Sequence, residues 1–264
     1  MAERKIIVEG DVEDDLSVEV GHDREGLGDQ DLPAYAAELV GTFLLVFFIC
    51  LIVSVAAGLQ VSDFAVIGLV HVFVLSMLIY TLGGTSGAHF NPAVTVALAA
   101  LREIRPIDAV IYIFLQLSGA IAGALLTKAL LLDEGEAANY GATLVGPFLS
   151  GKAFPGLIAE AMGTFVLMWA IMGTAVNPRG RREWAGLVIG GTLGFAVMAI
   201  GPLTGAGFNP ARSFGPALVS GEWANFWIYV VGPLLGALLA AFAYQAIAIA
   251  PQRRRGDRPV DKLP

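Results

Sequence analysis

Charge is what this chain has least of: 15% of its 264 residues are Asp, Glu, Lys or Arg, while 56% are hydrophobic. Soluble globular domains carry about 25% charged residues, and here the mean hydropathy reaches +0.71, so a soluble fold is excluded. Cysteine is almost absent. The single Cys50 leaves no partner for an intramolecular disulfide, and it reads as a small core residue of the first apolar run. Histidine is scarce too, at three residues, and His22 lies in an acidic segment where no specific role is expected. No metal-ligand cluster, nucleophile elbow, phosphate loop or nicotinamide fingerprint occurs, so neither an enzyme nor a cofactor nor a metal site is expected.

What the chain does have is apolar length. Six stretches, roughly 34–58, 64–82, 107–132, 154–176, 184–203 and 224–250, can each cross a hydrocarbon core of about 30 Å, which needs about 20 helical residues. The sequence therefore predicts an all-α integral membrane protein with six transmembrane helices. No secretory signal peptide is expected ahead of them. Residues 1–32 carry Glu9, Asp11, Glu13, Asp14, Asp15, Glu19, Asp23 and Glu25 and no aromatic side chain, the composition of a disordered tail. That tail supplies much of the net charge of -7, which accordingly does not advertise a nucleic-acid partner.

Positive charge is segregated. Arg102 and Arg105 follow the second span, Arg179, Arg181 and Arg182 lie between the fourth and fifth, and Arg253, Arg254 and Arg255 follow the sixth. The loops around Asp63, from Asp133 to Lys152 and near Glu222 have no such cluster. The positive-inside rule then puts both termini in the cytoplasm, with 251–264 as a basic tail. A bacterial plasma membrane is the expected location.

The segment 33–250 says one thing twice. Ser86-Gly87-Ala88-His89-Phe90-Asn91-Pro92-Ala93 is matched by Thr204-Gly205-Ala206-Gly207-Phe208-Asn209-Pro210-Ala211, and Ala37-Glu38-Leu39-Val40-Gly41-Thr42-Phe43 by Ala159-Glu160-Ala161-Met162-Gly163-Thr164-Phe165. Gly119-Ala120 pairs likewise with Gly236-Ala237. Two repeats follow, 33–132 and 153–250. Each holds three spans, an odd number, so the second enters the membrane from the opposite face and the repeat is inverted. The apolar stretches opened by the triplets, roughly 91–101 and 209–219, cover only about 15 Å at 1.5 Å per residue. They read as re-entrant half-helices meeting near the midplane, with Asn as N-cap and Pro at the first helical position. Gly119, Gly123, Gly190, Gly191, Gly194, Gly232 and Gly236 are expected to let helices cross closely. Glu38 and Glu160 stand deep in spans one and four, where an unpaired carboxylate costs several kcal/mol, so each is expected to have a defined task.

On these residues the chain resembles the aquaporin, or major intrinsic protein, family from about Pro33 to Ala250. The resemblance implies two half-helices stacked at Asn91-Pro92-Ala93 and Asn209-Pro210-Ala211 inside a six-helix bundle, one pore per subunit, and a homotetramer. It implies that Asn91 and Asn209 orient passing water between two positive helix ends. It places a selectivity filter at His71, Val197, Ala206 and Arg212, assigns Glu38 and Glu160 to bracing the re-entrant loops, and puts His89 near the cytoplasmic side of the pore. Ser213 and Ala217 match the water-channel pattern, whereas His71 with Val197 and Ala206 is similar to the filter of plant vacuolar-membrane members. A passive channel for water follows, with ammonia, urea, hydrogen peroxide or other small neutral solutes as further candidates and protons and ions excluded. Mercurial block through Ala206, where some members carry cysteine, is not expected. A glycerol facilitator, an ion-coupled secondary transporter and a structural membrane protein with a closed pore stay open as alternatives.

Overall fold

A computed structural model describes residues 30–59 and 63–251. The acidic segment up to residue 29 and the basic segment from 252 onward lie outside the described residues. Among the described residues the chain is helical throughout, in the order α1 (Leu32–Gly58), α2 (Phe64–Ser86), α3 (Pro92–Ala100), α4 (Pro106–Leu130), α5 (Leu132–Ala137), α6 (Ala153–Ile171), α7 (Ala185–Thr204), α8 (Pro210–Ser220) and α9 (Ile228–Tyr244). α6 and α9 each continue through one π turn, Met172–Val176 and Gln245–Ile249. Six of these helices are long and apolar enough to span a membrane.

Local chemistry sets the boundaries. α1 starts at Leu32, two residues before the expected position, because the Asp31 carboxylate accepts from the N–H of Ala34 and Pro33 suits the first turn. α2 starts where Asp63 caps the N–H groups of Ala65 and Val66. It ends at Ser86, beyond the expected residue 82, when Gly87 turns left-handed at φ 83°. The last span opens at Ile228 rather than 224, since residues 222–227 form turns closed by Glu222 and Asn225.

α3 and α8, of 9 and 11 residues, are half-length helices that together supply about 30 Å, one crossing split between two segments. α1 packs on α4 and α6 on α9 within the repeats, and α2 crosses α7 to join them. Close approach at equivalent glycines makes these crossings possible. A Cβ at Gly119 would overlap the Leu39 carbonyl, and one at Gly236 the Ala161 carbonyl. Gly191 does not share this role, for a Cβ there would meet nothing within 4 Å. The outer surface keeps large apolar side chains in the open, among them Phe73, Phe114, Phe154 and Leu239, as a lipid-facing bundle requires.

Candidate functional site

The re-entrant loops are built from the same unusual backbone. Gly87, Ala88 and Phe90 have φ of 83°, 53° and 48°, and Gly205, Ala206 and Phe208 have 75°, 51° and 53°. For residues other than glycine the left-handed region costs about 1–2 kcal/mol each, so the surroundings must impose it. Two carboxylates do so.

Glu38, fully buried, accepts at Oε1 from the Ser86 hydroxyl (2.8 Å) and the His89 N–H (2.9 Å), and at Oε2 from the Phe90 N–H (2.8 Å) and the Gln116 amide (2.7 Å). Glu160, equally buried, accepts at Oε1 from the Thr204 hydroxyl (2.6 Å) and the Gly207 N–H (2.9 Å), and at Oε2 from the Phe208 N–H (2.7 Å). Backbone N–H groups that no helix can use thus find charged acceptors. Tyr112 and Tyr229 complete each support by donating their hydroxyls to the carbonyls of Ser86 (2.9 Å) and Thr204 (2.8 Å). The Phe90 ring lies over Gly41 and the Phe208 ring over Gly163, where any side chain would collide with it.

The half-helices meet through their caps. Asn91 Oδ1 accepts from the Ala93 N–H (2.9 Å), and Asn209 Oδ1 from those of Ala211 (2.9 Å) and Arg212 (3.2 Å). Each Nδ2 reaches across the repeats, Asn91 to the Phe208 carbonyl (2.9 Å) and Asn209 to the Phe90 carbonyl (2.8 Å). An amide nitrogen carries two donors, so the strap uses one and leaves the other for a molecule in the cavity that both Asn side chains line. Pro92, Ala93, Pro210 and Ala211 are buried in the first turns of α3 and α8.

Two cavities in the bundle share part of their walls. The inner one passes Asn91 and Asn209 and continues to His89, Leu98, Ile171 and Ala175; the outer one is walled by Phe64, Ile67, Ala138, Gly141, Ala142 and Val197, among others. His71 and Arg212 belong to the walls of both. His71 Nδ1 donates to the Ile67 carbonyl at 2.8 Å, a bond in which the carbonyl can only accept, and its Nε2 has no protein partner among the described residues. Arg212, 3% exposed, donates from Nη1 to the Gly141 carbonyl at 2.8 Å, while Nε finds no protein acceptor among the described residues. An imidazole and a guanidinium therefore stand with free donor or acceptor capacity where the two cavities join.

The other residues singled out in the sequence take less direct places. Val197 faces the outer cavity, whereas Ala206 packs its methyl into the apolar cluster that contains Val197, Leu193 and Phe208. His89 lines the inner cavity, its Nδ1 3.1 Å from the Thr95 hydroxyl and its ring edge against Tyr112 at 5.3 Å. Cys50 is buried against Gly141.

Sequence reasoning missed the partners of the carboxylates. Ser86 and Thr204 stand first in the duplicated motif, and a hydroxyl at both was a legible signal. Tyr112 and Tyr229 occupy matched places before Gly119 and Gly236. Gln116, which bridges Glu38 and Thr95 (3.0 Å), has Pro233 at the matching place in the other repeat, so repeat logic could not find it. The outer wall segment was also unforeseen. There Asn139, Tyr140 and Gly141 turn left-handed in succession (φ 47°, 49° and 82°), aiming the Gly141 carbonyl at Arg212.

Half-helices joined by their Asn caps inside an inverted six-helix bundle, with one cavity running past the Asn pair and a second meeting it at His71 and Arg212, define an integral multi-pass membrane channel. The chain belongs to the major intrinsic protein family, which it matches over residues 29–244. It is 39% identical to "Probable aquaporin AqpM" of Archaeoglobus fulgidus over 81% of its own length and 96% of that protein. It is 40% identical to "Glycerol uptake facilitator protein-like 6" of Lactiplantibacillus plantarum over 79% of its length and 94% of that protein. Among solved structures, the aquaglyceroporin from Plasmodium falciparum shares the fold, with a TM-score of 0.68 at 22% identity, covering 84% of this chain and 98% of that one.

Proposed function

We propose that the chain is a passive channel for water that also admits small neutral solutes such as ammonia, urea or hydrogen peroxide and excludes protons and ions. The observation that carries this reading is the junction of the two cavities at His71 and Arg212. A permanent cation repels cations, and two helix N-termini of about half a positive charge each act in the same sense at Asn91 and Asn209. Neutral molecules meet unpaired donors at Arg212 and at the two Asn amides and the unpartnered Nε2 of His71, so they can exchange hydration for protein hydrogen bonds. Val197 supplies little bulk in the wall of the outer cavity, which favours an aperture wider than a water-only one.

The relatives' names divide between aquaporin and glycerol uptake facilitator, and a small-polyol facilitator is the second reading. Ion-coupled transport is less favoured, because Glu38 and Glu160 already accept four and three hydrogen bonds. A homotetramer is part of the proposal, supported by family membership. Termini in the cytoplasm follow from the arginine asymmetry, and a bacterial plasma membrane is the proposed location. Iso-osmotic solute-gradient swelling of proteoliposomes tests the solute range: entry of ammonia and urea with slow glycerol entry supports the water-channel reading, and glycerol entry matching water flux supports the facilitator.

A further inference from the structure

The outer junction has a counterpart on the other side of the Asn pair. Gly68 of α2 lies against Met198 of α7, and Gly186 of α7 lies against Tyr80 of α2. This reciprocal contact fixes the register of the two helices: Gly68 corresponds to Gly186 and Tyr80 to Met198. The same constant spacing relates Ser86 to Thr204 and Asn91 to Asn209. Carried to the outer quartet, it relates His71 to Ile189, Val197 to Ile79, Ala206 to Ala88 and Arg212 to Val94.

All four counterparts line the inner cavity. Where one half of the pore presents a guanidinium and an imidazole, the pseudo-symmetric place in the other half presents four hydrocarbon side chains. Val94 and Ile189 are buried within the bundle. His89, the neighbouring polar side chain, has its Nδ1 against Thr95, and its counterpart is Gly207.

We infer that Ile79, Ile189, Ala88 and Val94 form a second specificity-determining ring, one that sorts neutral solutes by hydrogen-bonding capacity rather than by charge. The inference rests on the channel reading above. Water in file keeps bonds to its neighbours while crossing an apolar ring. Ammonia and hydrogen peroxide carry few groups to satisfy. A polyol fills the cross-section, displaces the neighbouring waters and leaves hydroxyls without partners, and an unpaired polar group in an apolar environment is costly. The ring thus favours water over glycerol even where the outer aperture is wide.

Ile189→Val and Ile189→Thr test it, because the two variants enlarge the ring almost equally and differ by a hydroxyl. Glycerol and water permeabilities are measured in proteoliposomes of matched protein content, with the pair Ile79→Val and Ile79→Thr as a second reading should either Ile189 variant fail to insert. The expected result is a glycerol-to-water ratio about threefold or more higher for Thr than for Val, the change one net hydrogen bond gives. Equal ratios, or a higher ratio for Val, overturn the ring while leaving water conduction intact. A wild-type channel passing glycerol as readily as water overturns it too, and absence of any water flux removes the channel reading and the ring together.

Discussion

Asn91 and Phe208, from opposite repeats, are joined by a 2.9 Å hydrogen bond from the Asn91 amide to the Phe208 carbonyl, and Asn209 returns the bond to Phe90 at 2.8 Å. Each asparagine therefore caps its own half-helix with its oxygen and ties the partner repeat with its nitrogen. One donor per amide is left for the pore. The half-helix junction is thus the structural seam of the bundle, and in the proposed channel it is also where permeating molecules would be oriented.

Asn91→Ala removes a cap and a strap together. Losing an N-cap costs about 1 kcal/mol, and losing the strap to the buried Phe208 carbonyl, which keeps the Thr164 hydroxyl at 3.4 Å, adds about 0.5–1.5 kcal/mol. A lower thermal midpoint in detergent and a clear loss of water permeability are expected. Asn91→Asp, which keeps the cap acceptor but not the amide donor, is expected to recover less than half of either quantity, and full recovery would show that the strap is dispensable.

Glu38→Gln and Glu160→Gln put an NH2 where every neighbour is already a donor. At Glu38 each oxygen accepts two bonds, so either amide orientation sets donor against donor. Destabilisation of about 1–3 kcal/mol is expected for each, read as reduced yield of monodisperse protein and a lower thermal midpoint. Wild-type behaviour of Glu38→Gln would mean that the left-handed loops hold themselves.

Gly41→Ala and Gly163→Ala drive a methyl into the Phe90 and Phe208 rings. Overpacking of this kind costs about 1–3 kcal/mol. Gly191→Ala serves as the contrast, since open space surrounds it, and it is expected to stay within about 0.5 kcal/mol of wild type. Thermal unfolding of the three variants side by side checks the ordering.

Much of this was legible in the sequence because membrane insertion leaves few choices. Six long apolar runs, the duplicated Asn-Pro-Ala and the matched Glu38 and Glu160 were enough for architecture and seam. What escaped notice obeys other rules. The cross-repeat bonds of Asn91 and Asn209 depend on how two distant loops meet, which periodicity does not encode. Gln116 breaks the repeat. The segment from Leu132 to Gly141 is a short helix and turn in a loop whose composition resembles any other, yet its Gly141 carbonyl positions Arg212. Gly191 shows the reverse failure, for a glycine on a helix marks a close crossing only when its face meets another helix.

Val197→His is expected to cut ammonia and urea entry severalfold while sparing water, because a ring side chain replaces a small one beside His71 and Arg212. Arg212→Val is expected to do the opposite, raising solute entry and admitting proton leak as the cation and its donors disappear. Solute swelling and a vesicle-entrapped pH dye read the two variants, and unchanged fluxes would remove both residues from the selectivity account.

The central claim, that two inward helix starts and Arg212 let neutral water pass while refusing charge, is tested most directly by recording water and proton flux on the same wild-type proteoliposomes. Stopped-flow light scattering is predicted to show osmotic shrinkage much faster than protein-free vesicles, while the entrapped pH dye reports proton entry no faster than in those vesicles under an imposed pH gradient. Shrinkage no faster than the lipid alone, or proton entry that rises with water flux, would contradict it.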